Sequence, residues 1–207
     1  MNTPLRLGKP RSAYHHGDLR NALLAAARRA LDAGAYEKLS LRELARLAGV
    51  SANAPYRHFA SKDEVLAEVA AQGFRELTER MDAEAHPEAR ERLAKLADVY
   101  TGFACDHPAL YRVMFGIEKQ ALIEFPVMKE AAGESFGRLV AATIAAHGSG
   151  HPAEAATLAR ASGVWALVHG WARLVIDGLT YYLPEGSITP ASIAARAIIA
   201  SWSRNEV

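Results

Sequence analysis

The nine residues SANAPYRHF, Ser51 to Phe59, gather side chains suited to a polyanion. Asn53 carries a carboxamide that can make two hydrogen bonds to an adenine edge. Arg57 carries a guanidinium that matches guanine or a phosphate. Tyr56 and His58 have polar tips suited to phosphate oxygens, and so does Lys62 just beyond them. Ser51, Ala52 and Ala54 complete the same surface, and Arg42 stands close enough in sequence to reach the groove edge. Phe59, Leu47 and Val50 are expected in the core behind it. Pro55 is the discordant member. Inside a helix a proline removes one hydrogen bond and costs about 3 kcal/mol. At the end of a first turn, where most N–H groups have no intrahelical partner, it costs little and fixes the entry of the chain.

Such a surface needs elements to hold it. Asp18 is a plausible N-cap for a first helix with an apolar stripe at Leu19, Leu23, Ala27 and Leu31, ended by Gly34. Ser40 with Glu43 three residues later forms a capping box for a short helix lined by Leu41, Leu44, Ala45 and Ala48. Gly49 breaks it and Ser51 opens the next. Two short helices about a tight glycine turn describe a helix-turn-helix. Ser61 with Glu64 caps a longer helix, expected from Lys62 to Ala85. Ahead of all these, residues 1–16 hold Arg6, Lys9 and Arg11 with prolines and no acid, an arm able to enter a minor groove.

The charge is unevenly divided. Residues 1–66 contain eleven Lys/Arg and six Asp/Glu, a balance of +5, and residues 67–207 contain thirteen and seventeen, a balance of −4. Only the front is therefore suited to nucleic acid. The single cysteine excludes an internal disulfide framework and a multi-cysteine metal site. There is no apolar run near the ~20 residues needed to cross a bilayer. The expectation is a cytoplasmic protein that meets no membrane.

The block LSLRELARLAGVSANAPYRHFASKDEVL resembles the DNA-binding signature of TetR-family transcriptional regulators. It shares the short helix, Ala-Gly-Val-Ser, Tyr-x-His-Phe and the Ser-Lys-Asp opening of the next helix. Most of the family has leucine where Pro55 stands. The resemblance covers roughly residues 17–66. It implies an all-α homodimer whose two N-terminal heads bind a palindromic double-stranded operator and whose C-terminal domains bind a small-molecule effector. Residues 164–171, VWALVHGW, resemble the Trp-His-Gly stretch of one group of such C-terminal domains.

Beyond residue 66 the pattern stays helical. Five X-Pro dipeptides, at Pro87, Pro108, Pro126, Pro152 and Pro190, are expected to open helices. The whole reads as an all-α, nine-helix chain: an arm (1–16), a three-helix DNA-binding domain (17–66), and a helical ligand-binding and dimerisation domain (67–207). Residues 99–136 supply Tyr100, Phe103, Tyr111, Met114, Phe115, Met128 and Phe136, a plastic apolar lining. Trp165 and His169, four apart, share a helix face and can join it. The seven residues of 99–136 at helical spacing also suit plain core, so about half of them are expected at a cavity, and Trp165 also suits core with His169 satisfied by a backbone carbonyl. Few charges interrupt them, which points to an apolar or aromatic effector and needs no cofactor. Trp171, Leu174 and Val175 on one helix, and Ile193, Ala197, Ile198 and Trp202 on the last, form stripes suited to a dimer interface.

Competing functions leave weaker traces. A helical enzyme would need paired carboxylates, a glycine-rich phosphate loop or a nucleophile elbow, and none is present. Cys105 and His107 are two apart at a helix start, a poor geometry for a catalytic pair. A metal sensor could use His147 and His151, but Gly148-Ser149-Gly150 breaks the helix between them, so no metal site is assigned.

Overall fold

The computed structural model describes residues 16–116, 119–147, 154–181 and 191–202. The arm residues Arg6, Lys9 and Arg11 lie outside these, as do Pro152, Pro190, His151 and the two glycine-containing breaks at 148–150 and 184–187. Every described element is helical. The α-helices are α1 (His16–Asp32), α2 (Leu41–Leu47), α3 (Lys62–Ala83), α4 (Ala89–Asp106), α5 (Pro108–Phe115), α6 (Lys119–Leu122), α7 (Pro126–His147), α8 (Glu154–Ile176) and α9 (Ala191–Ser201). α6 is a single turn, so eight helices exceed one turn among the described residues rather than the expected nine. None of the described helices is long and apolar enough to cross a membrane.

The missing helix is the one that was to carry Tyr56 and Arg57. In its place stands a 3-10 turn, Pro55–Arg57. The reason is local. An α-helix starting at Ser51 would require the N–H of the residue four positions on to donate to the Ser51 carbonyl, and that residue is Pro55. The Ala54 N–H donates to it instead at 2.9 Å, and the Arg57 N–H donates to the Ala54 carbonyl at 3.2 Å. The tighter 3-10 pattern is what remains when the α bond is unavailable. Pro55 is itself buried and marks the start of the turn.

Other local signals act as the sequence suggests. Ser40 and Ser61 both have extended N-cap backbones, and their hydroxyls accept from the N–H of Glu43 and Glu64 at 3.1 Å. Glu64 also reaches back to accept from the Ala60 N–H at 2.6 Å. Gly34 and Gly49 take φ of 72° and 69°, a region other residues avoid. α5 and α7 begin at Pro108 and Pro126, whereas α4 begins two residues after Pro87. Asp18 is the third residue of α1 rather than its cap, because the helix starts at His16.

The front of the chain packs α1 on α2 and on α3. Leu23, Leu24, Ala27 and Leu31 of α1, Leu41 and Leu44 of α2, and Phe59 are all buried. Each such side chain contributes roughly 1.5–3 kcal/mol of apolar burial. Leu47 departs from expectation: it is 40% exposed, and Val50 is only half-buried. The Gly49 reversal ends α2 before the inner face of a further turn can form.

α3 then runs without a break past residue 66, with Val65, Leu66 and Ala67 fully buried. It packs on α7, α5, α4 and α1. Where α3 meets α5, Gly73 allows the closest approach: a Cβ there would stand 2.6 Å from Met114 Sδ and 2.8 Å from Leu110 Cδ2. Both neighbours are fully buried and have little room to move. Gly73→Ala is therefore expected to cost about 1–3 kcal/mol by overpacking, outweighing a helix-propensity gain of about 1 kcal/mol. Urea unfolding should show a lower midpoint with an unchanged slope, and a raised midpoint would refute the tight α3–α5 contact.

Candidate nucleic-acid interface and effector cavity

Around the buried anchors Pro55 and Phe59, the side chains of Ser51, Ala52, Asn53, Tyr56 and Arg57 are exposed. Tyr56 is 53% exposed, unusual for a tyrosine in a packed fold. Ala54 and His58 are half-buried, and Arg42 on α2 is exposed. The structure thus brings most of the expected polyanion surface onto one solvent-facing segment, on a 3-10 turn rather than a helix. Arg20 of α1 backs the segment from inside. Its guanidinium lies 5.2 Å from the Phe59 ring centroid and also pairs with Glu68 of α3.

Lys62 has a different setting from the one expected. Its Nζ donates to the Tyr36 carbonyl at 3.0 Å and lies 4.3 Å from the Tyr36 ring centroid. This ties the start of α3 to the 3-10 turn Tyr36–Lys38. Arg46 is drawn to Glu43 at 2.6 Å, a pair that holds the Glu43 carboxyl below its ordinary range.

The back of the molecule contains a cavity of about 360 Å³. Tyr100, Phe115, Phe136 and Trp165 line it. Phe103, Tyr111, Met114, Met128 and His169 do not form its wall. The first four are fully buried core, and Phe103 packs under Arg80 and His107. The apolar periodicity of α4, α5 and α7 could not separate these roles, since core and cavity wall need the same side chains. The sequence reading also missed Phe74, Leu77 and Met81 of α3, and Leu93 and Leu96 of α4, which complete the wall. Nothing local in the sequence marks an apolar stripe that faces a void.

Behind the wall lies a buried polar cluster. The hydroxyls of Tyr100 and Tyr111 are 3.1 Å apart, and His169 Nδ1 is 2.7 Å from the Tyr111 hydroxyl and 3.1 Å from that of Tyr100. Burial pushes the Tyr100 phenol up to about 12, against smaller opposing effects from its hydrogen bonds. Burial likewise raises Tyr111, reinforced by Tyr100. Phe115 packs on Tyr111, His169 and Phe74, with ring centroids 4.8, 5.1 and 5.2 Å apart. The cluster links α3, α4, α5 and α8.

Cys105 is exposed, and partial burial and Asp106 push its thiol up rather than toward thiolate. His107 turns to Glu76, with Nε2 2.8 Å from the carboxylate, and to Arg80 at 3.0 Å. On the outer face, Ile193 is 51% exposed and Ala197 is exposed, while Trp171, Leu174, Val175, Ile198 and Trp202 are half-buried. Trp202 carries Arg160 over its ring at 5.7 Å. α8 adds an exposed small-residue row that the sequence reading passed over: Ala159, Gly163, Ala166 and Gly170.

Residues 23–69 match the family model described as bacterial regulatory proteins, tetR family, and residues 93–199 match that of a tetracyclin repressor-like C-terminal domain. Among solved structures, a protein with unknown function from Rhodococcus sp. RHA1 is 34% identical, with a TM-score of 0.74 over 94% of this chain and 98% of that one. A putative tetR family transcription regulator from Shewanella sp. PV-4 is 17% identical, with a TM-score of 0.66 over 89% and 97%. The multidrug binding protein EbrR, complexed with imidazole, is 20% identical, with a TM-score of 0.56 over 88% and 93%. No curated protein matches the chain.

The tyrosine pair makes stability fall at alkaline pH. Tyr100 and Tyr111 are raised in the folded state, so above about pH 10 the unfolded chain loses phenolic protons that the folded chain keeps. The contribution is intact below that pH and is lost as pH rises toward about 12. Urea midpoints are expected to decline between about pH 10 and pH 12, and Tyr100→Phe should flatten the decline. An equal slope in the variant would refute the assignment.

Proposed function

The chain belongs to the TetR family of bacterial regulatory proteins, and from that premise we propose that it is a ligand-responsive repressor. It binds a palindromic operator as a homodimer and is released by a small, largely apolar or aromatic effector. The observation that carries this reading is the double duty of α3. One unbroken helix starts at the polyanion surface, at Lys62, and supplies Phe74, Leu77 and Met81 to the cavity wall. An occupant of the cavity therefore touches the same rigid element that holds the head.

A second route supports the coupling. Phe115 is in the cavity wall and belongs to α5, which packs on α1. The joint between head and body is incompletely filled: Leu31, Gly34 and Tyr36 face Ala109, Arg112 and Val113 across a void of about 270 Å³. Packed interfaces shift between discrete arrangements rather than bending continuously, and a void at the joint makes room for such a shift. Coupling of this kind is typically about 1–3 kcal/mol.

In this scheme Asn53 and Arg57 read base edges, while Tyr56, His58, Arg42 and Ser51 grip the backbone, with Ala52 and Ala54 allowing close approach. The arm through Arg6, Lys9 and Arg11 adds minor-groove contacts. Lys62 contributes chiefly by fixing the head, given its bonds to Tyr36. A homodimer supplies the second head. The exposed small residues of α8 allow a partner helix to approach closely, and Ile193 and Ala197 of α9 add apolar area beside them.

Selection of bound sites from random duplexes should yield a palindrome with half-sites about one helical turn apart. Sequence-indifferent, salt-sensitive binding alone would overturn the operator reading. On the selected site, Arg57→Ala is expected to lose about 1–3 kcal/mol and to relax preference at one position of each half-site. Ala166→Glu combined with Ile193→Asp should sediment as a monomer and lose the palindrome preference. An intact dimer would place the interface elsewhere.

A further inference from the structure

The cavity wall is apolar apart from the hydroxyls of Tyr100, Ser135 and Ser162 and one charged group. Among the described side chains lining it, only Lys129 is charged, and none is a carboxylate. Lys129 stands in the first turn of α7 and is exposed, so it marks where the cavity meets solvent. Exposed Gly133 and Ser162 line the same opening on α7 and α8.

Lys129 differs from several arginines on this part of the molecule. Arg80, Arg112, Arg138, Arg173 and Arg196 each pair with a carboxylate. The neighbours of Lys129 three and four positions away are Phe125, just before α7, and Pro126, Ala132 and Gly133 on it, none of them acidic. Among the described residues no carboxylate is within ion-pair distance of it. Its placement at the amino-terminal end of α7 adds the partial positive charge of the helix to its own. The neutral hydrogen-bonding groups inside are few. The Tyr100 hydroxyl is already engaged by Tyr111 and His169, leaving Ser135 and Ser162.

We propose that the cavity takes a singly anionic, otherwise apolar ligand, an aryl or alkyl carboxylate, with its body among Phe74, Phe115, Phe136 and Trp165 and its carboxylate on Lys129. The body avoids water against aromatic walls, and the headgroup stays at the wet rim where burying a charge costs least. At ordinary interior packing density the volume suits a molecule of about fifteen non-hydrogen atoms. The proposal rests on reading the cavity as the effector site.

The test is isothermal titration of the full-length protein with para-hexylbenzoate, para-hexylbenzyl alcohol and para-hexylbenzylamine, which share one body and differ in headgroup. The acid is expected to bind about fivefold tighter than the alcohol, the size of a rim-exposed ion pair, and the amine weakest. Lys129→Met, which keeps the stem and removes the charge, should equalise acid and alcohol. Lys129→Glu should invert the order in favour of the amine. Equal binding of acid and alcohol to the wild type, an acid preference that survives Lys129→Met, or no binding of any of the three overturns the proposal. Operator affinity measured alongside separates the two readings. An acid that binds through Lys129 without changing operator affinity leaves the anion site standing and removes the effector role. An alcohol that binds as tightly as the acid and releases the operator does the reverse.

Discussion

The fold depends on one helix satisfying two sets of partners. α3 is 22 residues long and is buried on several sides by α1, α4, α5 and α7. Its first turns close the head and its later turns wall the cavity. A helix so enclosed cannot shift at one end without disturbing the contacts of the other, because interiors packed at crystal-like density transmit displacement. The close contact at Gly73 makes the constraint stricter, since the backbone of α3 lies directly against Met114 and Leu110.

Around that helix, polar groups fix direction where apolar packing alone would not. Arg28 of α1 reaches Glu76 of α3 at 3.6 Å, and Arg80 bridges Glu76 and Asp106 at 3.2 and 2.6 Å. These pairs are partly exposed, so each adds little stability. They do constrain the rotation of α1 and α4 about α3. Deeper in, the Tyr100, Tyr111 and His169 cluster does the same for α4, α5 and α8, and in a buried setting an unmatched hydroxyl there would be costly. The cavity is therefore bounded by a rigid polar knot on one side and by adaptable aromatic rings on the other.

The charge pattern follows the same division of labour. The excess of cations at the front is only partly neutralised within the fold. Arg20 and Arg46 are spent on internal pairs and Lys62 on the Tyr36 carbonyl, whereas Arg42 and Arg57 stay exposed. At the back the residues that face the cavity are almost all neutral, and acids such as Asp82 and Glu91 pair with arginines away from the cavity wall. Long-range attraction to a polyanion is thereby kept away from the cavity.

The sequence by itself determined much of the local structure and the family. The capping serines, the glycines at positive φ, the prolines opening α5 and α7, and the spacing from Ser51 to Lys62 are signals carried by neighbours a few residues apart. Such signals survive in sequence because the bonds they describe are local. Even the shortening of the Tyr56 segment was implicit in Pro55, though its extent depended on which carbonyl lost its donor. The tertiary structure decided the rest: which aromatic stripe faces a void and which is core, that Leu47 is exposed, that Lys62 bonds inward, that Lys129 stands at a cavity mouth. Those outcomes depend on which helices pack together and how closely, and periodicity along one helix records only that a face is buried, not what it is buried against.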